Sequence, residues 1–440
     1  MGFGAAAVLA GAAWAASDPS KDADDLIAHI LKDAPAAKPV SPQPAAPQSG
    51  APAAKPAGGP EPVVMSARIG EHEDRTRFVV EMSDPVQMRV FTLSGPDRVV
   101  IDMPAVQWHL DGPPRPTGNG AVRSYRYGLF RSGNSRFVID LNRPVKVSDP
   151  LVLPPSGGYG YRVVIDLFPV SPDQFVHNSG WPADLKAREA AAEQLASIPA
   201  QPVAPTPEKR IIVIDAGHGG IDSGTSGVNG LQEKDLVLDE ALRLGRELVR
   251  RANYTVHLTR DTDVFIPLKE RVAIARSWHA DLFISLHADS NPDPGVNGLS
   301  IYTLSDSGSD KEAAALARKE NQSDVIAGVD LGGGNSAVAP ILIDLAQRDT
   351  MNRSSRFATG AVATLAVATD ILPRQPHRSA GFVVLKAPDV PAVLIELGYL
   401  SNEGDAGQMN TVRWRNGVAK AIAQAVDGYF APAVTASPAP

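Results

Sequence analysis

Four side chains in the C-terminal half of the sequence could do chemistry together: His218, Glu233, His287 and Glu396. His218 sits among glycines in "VIDAGHGG", directly after an apolar run, and Glu233 opens a helical pattern in "EKD". His287 ends the apolar run of "LFISLHADSN", and Glu396 lies inside "PAVLIELGYLSN". Imidazole and carboxylate are ligands that suit Zn2+, whose catalytic sites use three protein ligands and leave one position open for water. A carboxylate near the metal but not bound to it could take a proton from the attacking water. The glycines around His218 permit the turns and close backbone approach that such a loop needs. The chain has no cysteine, which excludes thiolate nucleophiles, disulfides and Cys-type zinc sites.

Each of these residues also has an ordinary structural use. Glu233 could complement a helix N-terminus, and His287 could be a hydrogen-bonded core histidine. Glu396 resists such a reading, because a carboxylate in an Ala-Val-Leu-Ile run must be partnered or have its pKa raised. Asp215 and Asp289, beside two of the motifs, could support ligands from behind or serve turns and caps.

The elements that must position these groups run from Arg210 to about Pro432. Strand patterns over 211–214, 255–259, 282–286, 299–304 and 393–397 alternate with helical patterns over 234–251, 268–278, 311–321 and 412–429. Strand alternating with helix predicts an α/β domain (209–432) with a mostly parallel sheet. Open sheets of this kind gather ligands at the carboxyl ends of their strands. His218, His287 and Glu396 all belong to strand ends on that reading, and Glu233 to a helix start.

At 440 residues the chain exceeds one core, and its prolines are unevenly spread, so a multidomain protein with linkers is expected. Residues 62–170 alternate apolar and polar residues with the period of a half-buried sheet. The pattern occurs twice: "RFVVEMSDPV" is echoed by "RFVIDLNRPV", and "DRVVIDMP" by "YRVVIDLFP". A duplicated all-β sandwich follows. Between the copies lies a stretch rich in arginine and free of acids, including Arg123, Arg126 and Arg131 with aromatic residues interleaved. A solvated sheet face and a binding surface for an anionic polymer both fit it.

The apolar start with Ala13-Trp14-Ala15 reads as a signal peptide over 1–16, although no positive charge precedes it. A Pro/Ala-rich tether over 17–61 follows, with a short helix pattern near residues 24–32. A second linker, Ala/Glu-rich and then Pro-rich, covers 171–208, and a tail covers 433–440. The net charge of −7 is mild and argues against a nucleic-acid partner. A monomer is the expected state.

The ordered motifs "VIDAGHGG", "EKD", "SLHAD" and "PAVLIELGYLSN" resemble the zinc-dependent N-acetylmuramoyl-L-alanine amidases of the amidase_3 type. The duplicated β unit resembles an AMIN domain, and the two-domain order resembles the AmiC-type cell-division amidases. The resemblance implies His218, Glu233 and His287 as zinc ligands and Glu396 as the catalytic glutamate. It also implies peptidoglycan as substrate, cleavage between the lactyl group of N-acetylmuramic acid and L-alanine, and a periplasmic, septum-targeted location. Residues 305–351 exceed what a strand-to-helix connection needs, and long inserts often form lids. "LARKEN" followed by "GVDL" looks like the autoinhibitory insert of the division amidases, in which a helix blocks the zinc site until a LytM-domain activator displaces it. Glu320, or failing it Glu312, is the expected plug. Two other readings stay open: a zinc peptidase acting within the stem peptide, and a non-catalytic wall-binding adaptor.

Overall fold

The computed structural model describes residues 61–110, 120–197, 209–329 and 341–431. The expected leader, the tether apart from its last residue, the Pro-rich end of the second linker and the tail lie outside the described residues.

Among the described residues, ten strands build the N-terminal domain: β1 (Val63–Glu71), β2 (Thr76–Met82), β3 (Arg89–Leu93), β4 (Arg98–Pro104), β5 (Gln107–Trp108), β6 (Val122–Arg131), β7 (Asn134–Leu141), β8 (Val145–Val147), β9 (Leu151–Leu153) and β10 (Tyr161–Pro169). One sheet runs β5-β1-β2-β10-β8 with β9 on β10, and the other runs β3-β4-β7-β6. Alternation in β2 buries Thr76, Phe78, Val80 and Met82 on one face, as a period of two residues requires. Between the sheets these side chains meet Val99, Ile101, Phe137, Ile139, Val163 and Ile165, so the expected sandwich is present.

The two sequence copies do not each form a sheet. β2, from the first copy, pairs with β10 of the second, and β4 of the first pairs with β7 of the second. One consequence is a repeated ion pair. Arg77 faces Asp166 across β2 and β10, at 2.7 Å, while Arg136 faces Asp102 across β4 and β7, at 2.6 Å.

Two helices follow. In α1 (Pro172–Asn178) Ser171 and Gln174 cap each other's backbone N–H groups, a reciprocal capping box. The Ala/Glu-rich stretch forms α2 (Ala183–Ser197). This part of the expected linker is docked: Lys269 of the next domain approaches Glu193 at 3.3 Å and Glu189 at 3.6 Å.

The C-terminal domain has a six-stranded sheet ordered β12 (Tyr254–Leu258), β11 (Arg210–Ala216), β13 (Leu282–His287), β16 (Ala392–Glu396), β14 (Ser300–Leu304), β15 (His377–Ala380). All neighbours are parallel except β14 and β16. Helices α3 (Glu233–Val249), α7 (Ile341–Leu365) and α9 (Val412–Phe430) bring Leu236, Leu244, Phe357 and Ile422 onto one sheet face, against Ile214, Ile284 and Val393. Helices α4 (Leu268–Ser277) and α5 (Lys311–Glu320) bring Val272, Ala313 and Ala317 onto the other, against Val213, Phe283 and Leu394. The insert continues from α5 into a short α6 (Ser323–Ile326), and α8 (Glu403–Met409) precedes α9. The strand unforeseen from sequence is β15. Its four residues, His-Arg-Ser-Ala, carry no apolar alternation because they sit at the sheet edge beside β14 alone.

Candidate active site

β11, β13 and β16 are neighbours and parallel, so their carboxyl ends deliver side chains to one place. His287 and Glu396 are the last residues of β13 and β16 and are partners in register. His218 lies two residues beyond β11 with φ 57°, a left-handed conformation that turns its ring back toward His287. The preceding Gly217 makes this possible: a Cβ there would lie 2.4 Å from the His287 ring. Gly224 (φ 63°) leaves similar room, since its Cβ would meet Glu233 Oε2 at 2.6 Å. Glu233 reaches in from the first residue of α3.

The four predicted residues therefore converge, and a fifth joins them. His218 Nε2 lies 3.1 Å from Glu233 Oε1 and 3.3 Å from Glu320 Oε2. His287 Nδ1 lies 3.3 Å from Glu233 Oε1 and 3.1 Å from Glu320 Oε2. Glu320 comes from the last residue of α5, so the insert enters the site. Glu312 does not: it is exposed and pairs with Arg378 at 3.0 Å.

Despite those short separations, neither imidazole nitrogen makes a hydrogen bond, and both Glu320 oxygens and Glu396 Oε1 are likewise buried without one. Buried polar atoms are normally satisfied. The ligand atoms of His218, His287 and Glu320 lie within 4.8 Å of one another, close enough to share one cation. Two nitrogens, carboxylate oxygens and no thiolate make a donor set that fits Zn2+. Glu233 differs from Glu320 in how it is held. Its two oxygens accept the backbone N–H groups of Thr225 at 2.8 Å and Ala288 at 2.9 Å.

Electrostatics follow from this crowding. Burial would lower the His218 pKa, but the carboxylates of Glu233, Asp222 and Glu320 outweigh it and the ring is held well above its usual range. Burial acts on His287 in the same way and is outweighed by Glu320 and Glu233, which push it up to about 10. Glu396 goes the other way for a carboxyl. Burial raises it well above the usual range, His287 pulls against that rise, and Asp289 and Glu233 add to it. Its Oε2 accepts the Asp289 N–H at 3.0 Å, which fixes the group without filling Oε1.

One site residue was not singled out from the sequence. Asp222, four residues after His218, accepts from its Nδ1 at 2.9 Å and so fixes the ring. The two glycines between them fold the loop back, and that spacing was the available signal. Of the two aspartates beside the motifs, Asp215 is tied to Arg271, Thr259 and Ser285 and holds the strand end. Asp289 bonds Thr225 Oγ1 at 2.8 Å and receives Lys319 from the insert.

The arginines expected to meet an anionic polymer are placed otherwise. Arg126 bonds Asp140 at 2.6 Å and the Ile326 carbonyl at 2.5 Å, and Arg131 bonds Glu270 at 2.9 Å. Both are turned against the C-terminal domain. Arg123 alone of the three is exposed, with Asn142 at 3.4 Å.

A mostly parallel sheet with a buried histidine–glutamate centre at its carboxyl edge, preceded by a duplicated β sandwich, defines a two-domain protein whose α/β domain carries a candidate metal centre. Comparison with known proteins narrows the class. Residues 212–428 match Amidase_3, N-acetylmuramoyl-L-alanine amidase, and residues 62–153 match the AMIN domain. The chain is 33% identical to the N-acetylmuramoyl-L-alanine amidase AmiC of Escherichia coli, over 84% of this chain and 90% of that protein. It is 32% identical to AmiC of Neisseria meningitidis over the same shares, and 38% identical to Escherichia coli AmiA over 50% of this chain and 76% of AmiA. The chain belongs to the N-acetylmuramoyl-L-alanine amidases.

Proposed function

We propose that this chain hydrolyses the amide between N-acetylmuramic acid and L-alanine in peptidoglycan, with Zn2+ held by His218, Glu233 and His287 and with Glu320 blocking the centre at rest. What carries the reading is the set of buried, unbonded atoms: two imidazole nitrogens facing the same two carboxylates, one fixed by backbone and one brought in by an insert.

When bound, the metal would supply polarisation of the scissile carbonyl and a nucleophile usable at neutral pH. The chain's own residues do the rest. Asp222 holds His218 by Nδ1 and leaves Nε2 directed inward. Glu233 is aimed by two backbone N–H groups. Glu396 keeps Oε1 open while Oε2 is fixed, which suits a group that takes a proton from the attacking water and returns it to the leaving amine of L-alanine. At rest, residues of the sheet, α4 and α5 line the centre together.

An activator is needed to withdraw α5, and a LytM-domain protein is the expected one. The AMIN match and near full-length similarity to AmiC support action in the periplasm, in daughter-cell separation. No helix among the described residues is long and apolar enough to cross a membrane.

The deciding experiment combines zinc content with digestion of purified sacculi by wild type, Glu396→Ala and a variant lacking residues 311–334. One zinc per chain, peptides beginning with L-alanine, more product from the deletion and none from Glu396→Ala are expected. Fragments cut within the stem peptide would make the enzyme a peptidase. No zinc together with intact sacculus binding in every variant would move the function to the β domain.

A further inference from the structure

The insert does not end at its plug. Five residues after Glu320 it enters the β domain, and there four successive carbonyls are taken by side chains. Arg98 Nη1 donates to the Val325 carbonyl at 2.7 Å and Arg126 Nε to that of Ile326 at 2.5 Å. Arg136 Nη1 donates to the carbonyls of Ala327 at 3.0 Å and Gly328 at 3.2 Å. Trp181 Nε1, from the segment between α1 and α2, donates to the Gly328 carbonyl at 3.3 Å. The last carbonyls of a helix have no partner inside it. Here α6 ends against three guanidinium groups, whose hydrogen bonds are of the stronger, charge-assisted kind.

Apolar contacts reinforce the grip. Ala327 and Val329 are fully buried against Leu93, Val100, Phe130 and Val138 of the β3-β4-β7-β6 sheet, together with Trp181 and Leu185. Gly328 has φ 69°, and a Cβ there would meet Val138 at 2.9 Å and Val100 at 3.1 Å, so the backbone lies directly on the sheet. The duplicated ion pair serves as an internal control. Arg77, on the other sheet, keeps 35% of its side chain exposed among the described residues, whereas Arg136, its counterpart under residues 327 and 328, keeps none.

We propose that the β domain has a second function: it is the latch that holds the plug in the active site. The proposal rests on the reading of Glu320 as a plug. Between plug and latch, Ser323 donates to Asp222, so one short segment binds the His218 loop and the β domain together. Loosening residues 325–329 from the β domain then frees Glu320, and a partner that takes hold of either surface opens the enzyme.

The test uses the full-length, zinc-loaded protein. Gly328→Ala attacks the latch from the insert side, where its added methyl would press on Val138 and Val100. Trp181→Phe removes one N–H and keeps an apolar ring. Glu320→Ala tests the plug itself, and Arg77→Lys is the control on the other sheet. Two quantities are read: basal release of soluble peptidoglycan, and hydrogen exchange of residues 311–329. Gly328→Ala should raise basal activity about tenfold and Trp181→Phe about threefold, the scale of one to two lost hydrogen bonds, with faster exchange across 311–329 in both. Arg77→Lys should change neither. If Glu320→Ala activates while Gly328→Ala and Trp181→Phe alter neither quantity, the plug stands and the latch is wrong. If Glu320→Ala is itself inactive in raising the rate, the plug reading falls and the latch with it. Should Gly328→Ala unfold, Trp181→Phe decides alone.

Discussion

Glu233 and Glu320 face the same two imidazole nitrogens at 3.1–3.3 Å, yet only Glu233 is anchored by backbone N–H groups. Both Glu320 oxygens are buried without a hydrogen bond. One carboxylate is built into the site and the other is inserted into it.

Replacing the inserted carboxylate should therefore activate. Glu320→Ala is expected to raise basal amidase activity by about 10- to 100-fold, the shift produced by about 1.4–2.7 kcal/mol in a closed–open equilibrium. Zinc content should stay at one per chain. Metal analysis beside dye release from labelled peptidoglycan reads both.

Glu396→Gln keeps the shape of the side chain and removes its proton chemistry. The rate should fall by about 10²–10⁴-fold, as expected when a general acid–base group is lost. Zinc should remain bound and the fold unchanged, so a silent but metal-loaded protein is the expected product.

Asp222→Asn should weaken metal binding rather than chemistry. It exchanges the carboxylate that holds His218 Nδ1 for an amide, and losses of about 10–100-fold in metal affinity follow from such changes. Competition with a zinc-chelating dye measures it. An affinity equal to wild type would show that the His218 ring is fixed without Asp222.

Glu240 gives the fold a pH dependence remote from the site. It is fully buried on α3, neither oxygen has a hydrogen bond, and burial, helped by Asp239, raises its pKa to about 8. In the unfolded chain the group ionises near its ordinary value, so between there and about pH 8 the unfolded state has lost a proton that the folded state keeps. Stability is unaffected below that window and falls as pH rises through it, by about 3 kcal/mol at pH 7. Glu240→Gln should remove this slope: its Tm should exceed that of wild type at pH 8 and approach it at pH 5.

Much of the candidate site was legible because three of its four residues end or closely follow strands. Apolar runs announce β11, β13 and β16, and polar residues at their carboxyl ends stand out against them. Asp222 escaped because its role comes from a loop folding back through left-handed glycines, not from periodicity. The arginines were misleading for a different reason. Arg126 and Arg131 have the composition of a solvent-facing cationic surface, but their partners, Ile326 and Glu270, lie 200 and 139 residues away. No local pattern encodes which face of a sandwich another domain will cover. The same holds for α2, whose Ala/Glu-rich sequence suits an isolated helix as well as one docked on α4.

The repeated ion pair has a wider consequence. Duplication gave the sandwich two equivalent sheet centres, Arg77 with Asp166 and Arg136 with Asp102. The fold turns one of them inward against its own enzyme and leaves the other outward. On the proposed reading, restraint of the enzyme falls to the face around Arg136 alone, so a change at the exposed face around Arg77 would leave that restraint intact.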